Sequence, residues 1–442
     1  MPIGADHCTT DGGEGQTHDE LAATRSRTAV TGVLPRAAHS APVVRPVRET
    51  IGAAPPDSHT RAGMTQPSPP TTGDVVVRHG SIVVQRLFDI AYATDLVRLE
   101  ALCANAQGSG GSRARLAATP DKAITFGNPP LTLPLGGLSL ELDGEALDCA
   151  VSANFYDFGA LTLAIDVPVR ARSWPALVAL SRAVDRALGP AATQAPWATL
   201  CEQAVQRAAP ALTRPSHERL QEDYLLIVVR EFDAPLSTRE LLSRIDPVPL
   251  LSGEDRELSE YARADLLRQR YSYYADDLVL LTWDRALIVE PRGESDVADV
   301  LEVANAQLLE LRYYDELLDA ELPQMYDEVE RARHARGLLA ARHFAHLARR
   351  LHTQVAEVTE LTEKIDNALQ VTEDVYLARV YSAALSLFRV PTVAGAVERK
   401  LAIIRETYTA LYDEASSRRA ELLEIAIVLL IVAEIVIAMR GA

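Results

Sequence analysis

The apolar positions of this chain follow three successive patterns. Between Val75 and Glu290 short apolar runs alternate with turn-forming residues. From there to Ala420 the apolar repeat is three and four, and from Leu422 to Met439 it is almost unbroken. The first pattern predicts strands mixed with helices. Val75-Val76-Val77-Arg78-His79-Gly80-Ser81-Ile82-Val83-Val84 reads as two short β-branched runs around a His-Gly turn, with a helix over Thr94 to Ala104 after it. Leu138 to Leu142, Leu147 to Phe155 and Ala160 to Val167, with a turn at Asp157-Phe158-Gly159, predict an antiparallel meander. Ser173-Trp174-Pro175 starts a helix, because a capping hydroxyl precedes a proline in the first turn, and Gly189-Pro190 ends it. A second helix runs from Pro196 to Ala208. Asp223 to Glu231 is the strongest strand, an unbroken apolar run suited to the middle of a sheet. Ser237 and Glu240 form a capping box, a helix covers Asp255 to Gln269, and a hairpin joins Leu278–Thr282 to Ala286–Glu290 through Trp283-Asp284-Arg285. The sum is an α+β domain over 74–292, in one or two lobes, with a mixed or antiparallel sheet.

The second pattern predicts long helices over 293–420. Ser295 is the N-cap, and only Pro323 and Gly337 interrupt helix formers as far as Phe388. Charges are sorted along this stretch. Asp315 to Glu330 holds seven acidic residues and no basic one, and Arg331 to His352 holds six Arg, four His and no acid. Such blocks usually pair across a hairpin or a neighbouring subunit. The functional alternative is a basic face for RNA phosphate or anionic lipid, carried by Arg342, Arg349 and Arg350. Leu351, Val355, Val358, Leu361, Ile365 and Ala368 form one stripe. Val397, Leu401, Ile404, Tyr408, Leu411 and Ala415 form another beyond Pro391, which breaks the helix. The two stripes predict a helical hairpin or the arms of a coiled-coil homo-oligomer.

The third pattern is a membrane span over 421–442. Eighteen residues from Leu422 to Met439 rise about 27 Å, close to the ~30 Å of a hydrocarbon core. Thirteen Leu, Ile, Val and Met side chains contribute about -4 to -8 kcal/mol, against +2.5 to +3.5 for a deep carboxylate. Glu424 sits at one boundary and Glu434 close to the other, so insertion wins. Arg418 and Arg419 precede the span, and no signal peptide is present. The positive-inside bias therefore leaves the bulk of the chain in the cytoplasm.

Composition changes this picture at a few points. Residues 1–73 hold nine prolines, eight glycines and no aromatic, which predicts a disordered tail, and Met64 offers a second start. The net charge of -17 argues against wholesale nucleic-acid binding. Only 3 of the 44 basic residues are lysine, which reads as GC-rich coding in a bacterium and makes the membrane the bacterial inner membrane. Cys8, Cys103, Cys149 and Cys201 are too widely spaced for a CxxC pair. Gly108 to Ser112 lacks the Lys-Ser or Lys-Thr of a phosphate loop. Asp276-Asp277, Asp284 and Glu290 are carboxylates near strand ends that could hold a metal or exchange protons, but turn formation is the commoner use. His343 and His346 are a metal pair without a third ligand. No catalytic, metal or cofactor set emerges.

Arg419-Ala-Glu-Leu-Leu-Glu424-Ile-Ala-Ile-Val-Leu-Leu-Ile-Val-Ala-Glu434-Ile-Val resembles the terminal signature of the family named for a requirement in meiotic nuclear division. Val77 to Val84 is similar to that family's opening strand pair, and Leu308 to Leu318 to one of its helices. The resemblance implies a membrane-anchored protein of a family without established enzymatic activity, with eukaryotic members in the mitochondrial inner membrane, one of them implicated in mitochondrial translation. The expectation is a non-enzymatic, tail-anchored scaffold that presents its α+β domain and helical hairpin to a protein partner. The second expectation is an anchored RNA- or ribosome-associated factor using 331–352.

Overall fold

Strand β1 (Val76–Asp89) is one fourteen-residue strand, not two runs around a turn. His79 and Gly80 stay inside it as a bulge in its pairing with a neighbouring strand. A β-bulge absorbs an extra residue while both ladders continue, so the His-Gly pair bends the strand without ending it. Gly80 is needed there, because a Cβ would stand 2.5 Å from the carbonyl oxygen of Val228. The computed structural model describes residues 75–105, 112–113, 124–126, 128–216, 220–254, 256–293, 296–334, 338–371 and 375–440. The polar segment 1–73, Gly108 to Gly111, Ser295 and Gly337 lie outside the described residues.

Strands β2 (Leu131–Leu142), β3 (Glu145–Phe155) and β4 (Ala160–Ser173) form the antiparallel meander, and β4 pairs with β1 along its whole length. The turn into β4 uses Gly159 at φ +100, where a Cβ would collide with the carbonyl of Ala91. On the other side of β1 lies β5 (Gln221–Phe232), then β7 (Arg285–Val289) and β6 (Leu278–Leu281). Among the described strands only the β7–β5 pair is parallel. Two-residue strands, Arg270–Tyr271 and Ser112–Arg113, complete a nine-stranded sheet at its two edges.

Period-two alternation gives the central strands two apolar faces, and helices cover both. On one face Ile82, Val84, Leu163, Ile165, Leu225 and Ile227 share a core with residues of α2 (Trp174–Leu188), α3 (Ala195–Ala208), α4 (Thr238–Arg244) and α5 (Val248–Ser252). Leu99 of α1 (Leu96–Asn105) joins that core, and Leu267 just after α6 (Glu260–Leu266) packs against it. The helix starts fall where the sequence signals put them, although the Ser173 hydroxyl at the N-cap of α2 makes no capping bond. Pro175 lies in the first turn of α2, and Ser237 and Glu240 make the reciprocal bonds of a capping box on α4. Buried Arg86 joins α2 to α3: its guanidinium lies 4.9 Å from the Trp197 ring, donates to the Leu188 carbonyl and bonds Gln194.

The opposite face, with Leu87, Leu226, Val228 and Ile288, packs against α7 (Val297–His334). That core continues into α8 (Leu338–Ala368), α9 (Val375–Leu387) and α10 (Val390–Arg440). Pro391 ends no helix interior; it stands in the first turn of α10, where its missing N–H costs nothing. Leu351 and Val358 on α8, and Val397, Leu401, Ile404, Leu411 and Ala415 on α10, are all buried in this core. The described parts of the two apolar stripes therefore close within one chain, and the side chains of Leu361, Ile365 and Ala368 lie outside the described residues. The fold is α+β, a mixed sheet followed by long helices and a long apolar C-terminal helix.

Candidate functional site

The first half of α7 is apolar on nearly every side, with Val297, Val300, Leu301, Val303, Ala304 and Ala306 all buried. A polar residue in such a run must go inside with them, and Glu302 does, at 4 % exposure. Its carboxyl is the centre of a polar seam between α7 and the sheet. It accepts from Gln85 Nε2 of β1 at 2.9 Å, from Asn154 Nδ2 of β3 at 2.8 and 3.1 Å, and from the Tyr156 hydroxyl at 2.8 Å. Burial pushes its proton affinity up, and the donors from Asn154 and Tyr156 pull it back. Burial, reinforced by the neighbouring Glu302 carboxyl, drives the Tyr156 hydroxyl well above its ordinary range, so that hydroxyl stays a donor.

Two turns further along α7, Glu310 is 1 % exposed and faces Asp89 at the end of β1, itself 2 % exposed. Burial holds Glu310 well above the usual carboxylate range and Asp89 at about 6, despite a hydrogen bond between Asp89 and Ser216. Near neutral pH Glu310 therefore keeps its proton, while Asp89 releases its own as pH rises through about 6. Beside them is a cavity of about 420 Å³ between the sheet loops, α7 and α8, lined by Tyr92, Arg214, Ser216, Tyr313, Tyr314 and Glu357, among others. Arg214 lies 3.6 Å from the centre of the Tyr92 ring and bonds Glu357 at 3.2 Å.

The carboxylates flagged in the sequence separate. Asp277 accepts the backbone N–H groups of Tyr273 and Tyr274, which is a turn-forming role. Asp284 instead meets Asp185 and Asp223 in a second cavity of about 220 Å³, with exposed Trp283 among its lining residues. Arg285 bridges Asp284 at 3.0 Å and Asp185 at 3.4 Å. Asp223 is held above its ordinary range mainly by burial, while Arg86 opposes the rise. Asp185 and Asp223 carry no local sequence signature; the sheet and the end of α2 bring them together. Among the described residues no group of three His, Cys, Asp or Glu could hold a metal ion, and the side chain of His343 lies outside them.

On the helical hairpin the opposite charge blocks meet. Arg350 bonds Glu328 at 2.7 Å and Glu321 at 2.9 Å, whereas Arg342 and Arg349 are exposed. Lys400 of α10 bonds Asp315 at 2.6 Å and Asp319 at 2.7 Å. The acidic block thus holds two other helices. Past Ala415 burial in α10 ends: Leu423, Leu430 and Ile437 are 66, 70 and 72 % exposed, and Glu424 and Glu434 are exposed on the same helix. It is the one described helix long and apolar enough to cross a membrane.

Comparison with known proteins corrects two expectations. Residues 79–296 match the family model described as "Uncharacterized protein MJ0711, N-terminal domain". That match ends before the C-terminal signature, and nothing in it supports the meiotic-nuclear-division family. A helix of Ile, Leu and Val with two glutamates is a composition that unrelated membrane-seeking segments reach independently, so it marks a solvent rather than a lineage. The bacterial inner membrane and cytoplasm are withdrawn as well, because the matched relative is archaeal. Arg-for-Lys usage follows coding base composition, which is not confined to bacteria. No solved structure matches the chain. The chain is similar to "Uncharacterized protein MJ0711" of Methanocaldococcus jannaschii, 26% identical over 245 residues that make up 54% of this chain and 73% of that protein.

Proposed function

We propose that the chain is a non-enzymatic, membrane-anchored scaffold. The C-terminal part of α10 spans a bilayer and holds the α+β body and the α7–α8 hairpin beside it for a protein partner. One observation carries this reading: none of the apolar window of α10 is buried. A core helix of a water-soluble protein would be covered by its neighbours, and a signal sequence would stand near the N-terminus; α10 fits neither description. Left in water, thirteen large aliphatic side chains would remain hydrated, at roughly 1.5 to 3 kcal/mol each for those a bilayer buries fully.

The scaffold part of the reading draws on continuity. The same helix that leaves the bundle is tied to α7 by Lys400, and α7 is tied to the sheet by Glu302. No loop intervenes between the apolar window and the bundle, so the anchor and the body are joined stiffly. The non-enzymatic part draws on the way Arg285 neutralises Asp284 and Asp185. A nucleic-acid role for the hairpin draws on exposed Arg342 and Arg349 and is weakened by the engagement of Arg350 with two glutamates. Deleting residues 421–442 should move the chain out of the carbonate-washed membrane pellet. A truncated chain that stays in the pellet would sink the reading.

A further inference from the structure

Tyr92 and Arg214 stand opposite each other on a two-stranded antiparallel ribbon, Ala91–Thr94 with Leu212–Pro215. Arg214 is held at φ 48, a left-handed conformation that residues with a Cβ rarely adopt. From that backbone its guanidinium lies 3.6 Å from the centre of the Tyr92 ring. It also donates to both carboxylate oxygens of Glu357 on α8, at 3.2 and 3.3 Å. An aromatic face beside a carboxylate is the pairing that recognises a planar organic cation. Here the chain's own cation occupies it.

That occupant is held loosely. The side chains of Arg214 and Glu357 are 54 and 38 % exposed, so water screens their ion pair and it contributes little. The cavity that both line, about 420 Å³, is of the size that takes a small organic molecule. From α7 it is lined by Tyr313 and Tyr314, whose rings meet edge to face at 5.2 Å. Tyr314 is 2 % exposed, and its hydroxyl has no hydrogen-bond partner among the described residues. Close to these rings, Asp89 Oδ2 and Glu310 Oε1 are buried without a donor.

The lining also decides the sign of the ligand. Arg214 is the one basic residue among the described residues that line the cavity, against Glu321 and Glu357. Arg350 matches Glu321 from outside the lining, so Glu357 is the carboxylate that a departure of Arg214 would free. An anion would meet Arg214 alone and be opposed by both glutamates. A cation would meet the Glu357 carboxylate, the Tyr92 face and the unbonded Tyr314 hydroxyl oxygen.

We propose that this cavity binds a small planar organic cation, a guanidinium or amidinium compound, which takes the place of the Arg214 guanidinium on Tyr92 and Glu357. Arg214 is then an internal competitor, and its removal should tighten binding about tenfold, the worth of an exposed cation–π contact and a surface ion pair together. The inference is independent of the spanning role of α10, since every group it uses lies on the ribbon, α7 or α8.

The test is isothermal titration calorimetry of the full chain in detergent micelles, with n-butylguanidinium chloride as the probe and sodium butyrate as its anionic counterpart. Butylguanidinium should bind the wild type saturably and Arg214→Gly about tenfold more tightly, glycine being free of strain at this φ. Arg214→Gln, which keeps a side chain on the ribbon, should tighten binding in the same direction. Adding Tyr92→Leu or Glu357→Gln to Arg214→Gly should weaken binding again by roughly tenfold. Variants are compared at matching far-ultraviolet circular dichroism, so that the heats read the site and not the fold. Two Arg214 variants that bind no more tightly than the wild type overturn the competition, and with it the proposal. Absence of saturable binding in Arg214→Gly overturns it too. Butyrate binding that disappears in Arg214→Gly overturns it in favour of an anion site built on Arg214.

Discussion

Two helices of this molecule reverse the ordinary sorting of side chains in opposite senses. Along the first half of α7, Glu302, Asn305, Gln307 and Glu310 are buried, at 4, 2, 4 and 1 % exposure. Along the last third of α10, leucines, isoleucines and valines are exposed. In α7 the reversal is tolerated because the sheet supplies donors for Glu302 and because Glu310 holds a proton. In α10 nothing among the described residues covers the apolar window, and the proposed reading assigns that cover to a bilayer. Burial of a polar group is explained by its neighbours, whereas exposure of an apolar helix is explained by what lies outside the molecule.

Breaking the α10 side has the largest expected effect. Leu429→Arg with Val432→Arg places two cations in mid-window, at about 5 to 7 kcal/mol, enough to cancel the calculated insertion energy. Recovery of the chain in the carbonate-soluble or aggregated fraction checks this. On the α7 side, Glu302→Ala leaves the Gln85, Asn154 and Tyr156 donors buried without an acceptor and should destabilise the body by roughly 3 to 5 kcal/mol. Glu302→Gln, which keeps an acceptor, should cost less than half of that. The urea midpoint of each variant separates the two.

The Asp89–Glu310 pair sharpens the same side through pH. Asp89 titrates at about 6 in the folded chain, above its unfolded value of about 3.9. Between those values the folded state keeps a proton that the unfolded state has released, so stability falls as pH rises through this window. The loss should be on the order of 2 to 3 kcal/mol between pH 4 and 7, and Asp89→Asn should flatten the profile of unfolding free energy against pH. The smallest effect is expected at Arg350, which is 36 % exposed. Arg350→Ala should cost about 1 kcal/mol, read as a small shift of the urea midpoint.

Local signals reached a good part of this architecture. Ser173-Trp174-Pro175 and Gly189 bound α2, Ser237 and Glu240 cap α4, and the Trp283-Asp284-Arg285 turn joins β6 to β7, because each depends on a few adjacent residues. The His79-Gly80 pair misled, since the same dipeptide serves a turn or a bulge, and the ladders on both sides of β1 decide which. The seam could have been flagged by Glu302 inside an apolar helical run. Its partners Gln85 and Asn154 could not, being 217 and 148 residues away. The same distance in sequence hid the meeting of Asp185, Asp223 and Asp284.

The sequence by itself determined the alternation of strands and helices, the two stripes of the bundle and the lipid-compatible character of the last helix. These follow from period and composition, which are properties of neighbouring residues. Only the tertiary structure decided that the acidic block holds Arg350 and Lys400 and that α7 is bonded to the sheet through Glu302. Those depend on which helices lie side by side and at what height, and packing of the whole chain sets both.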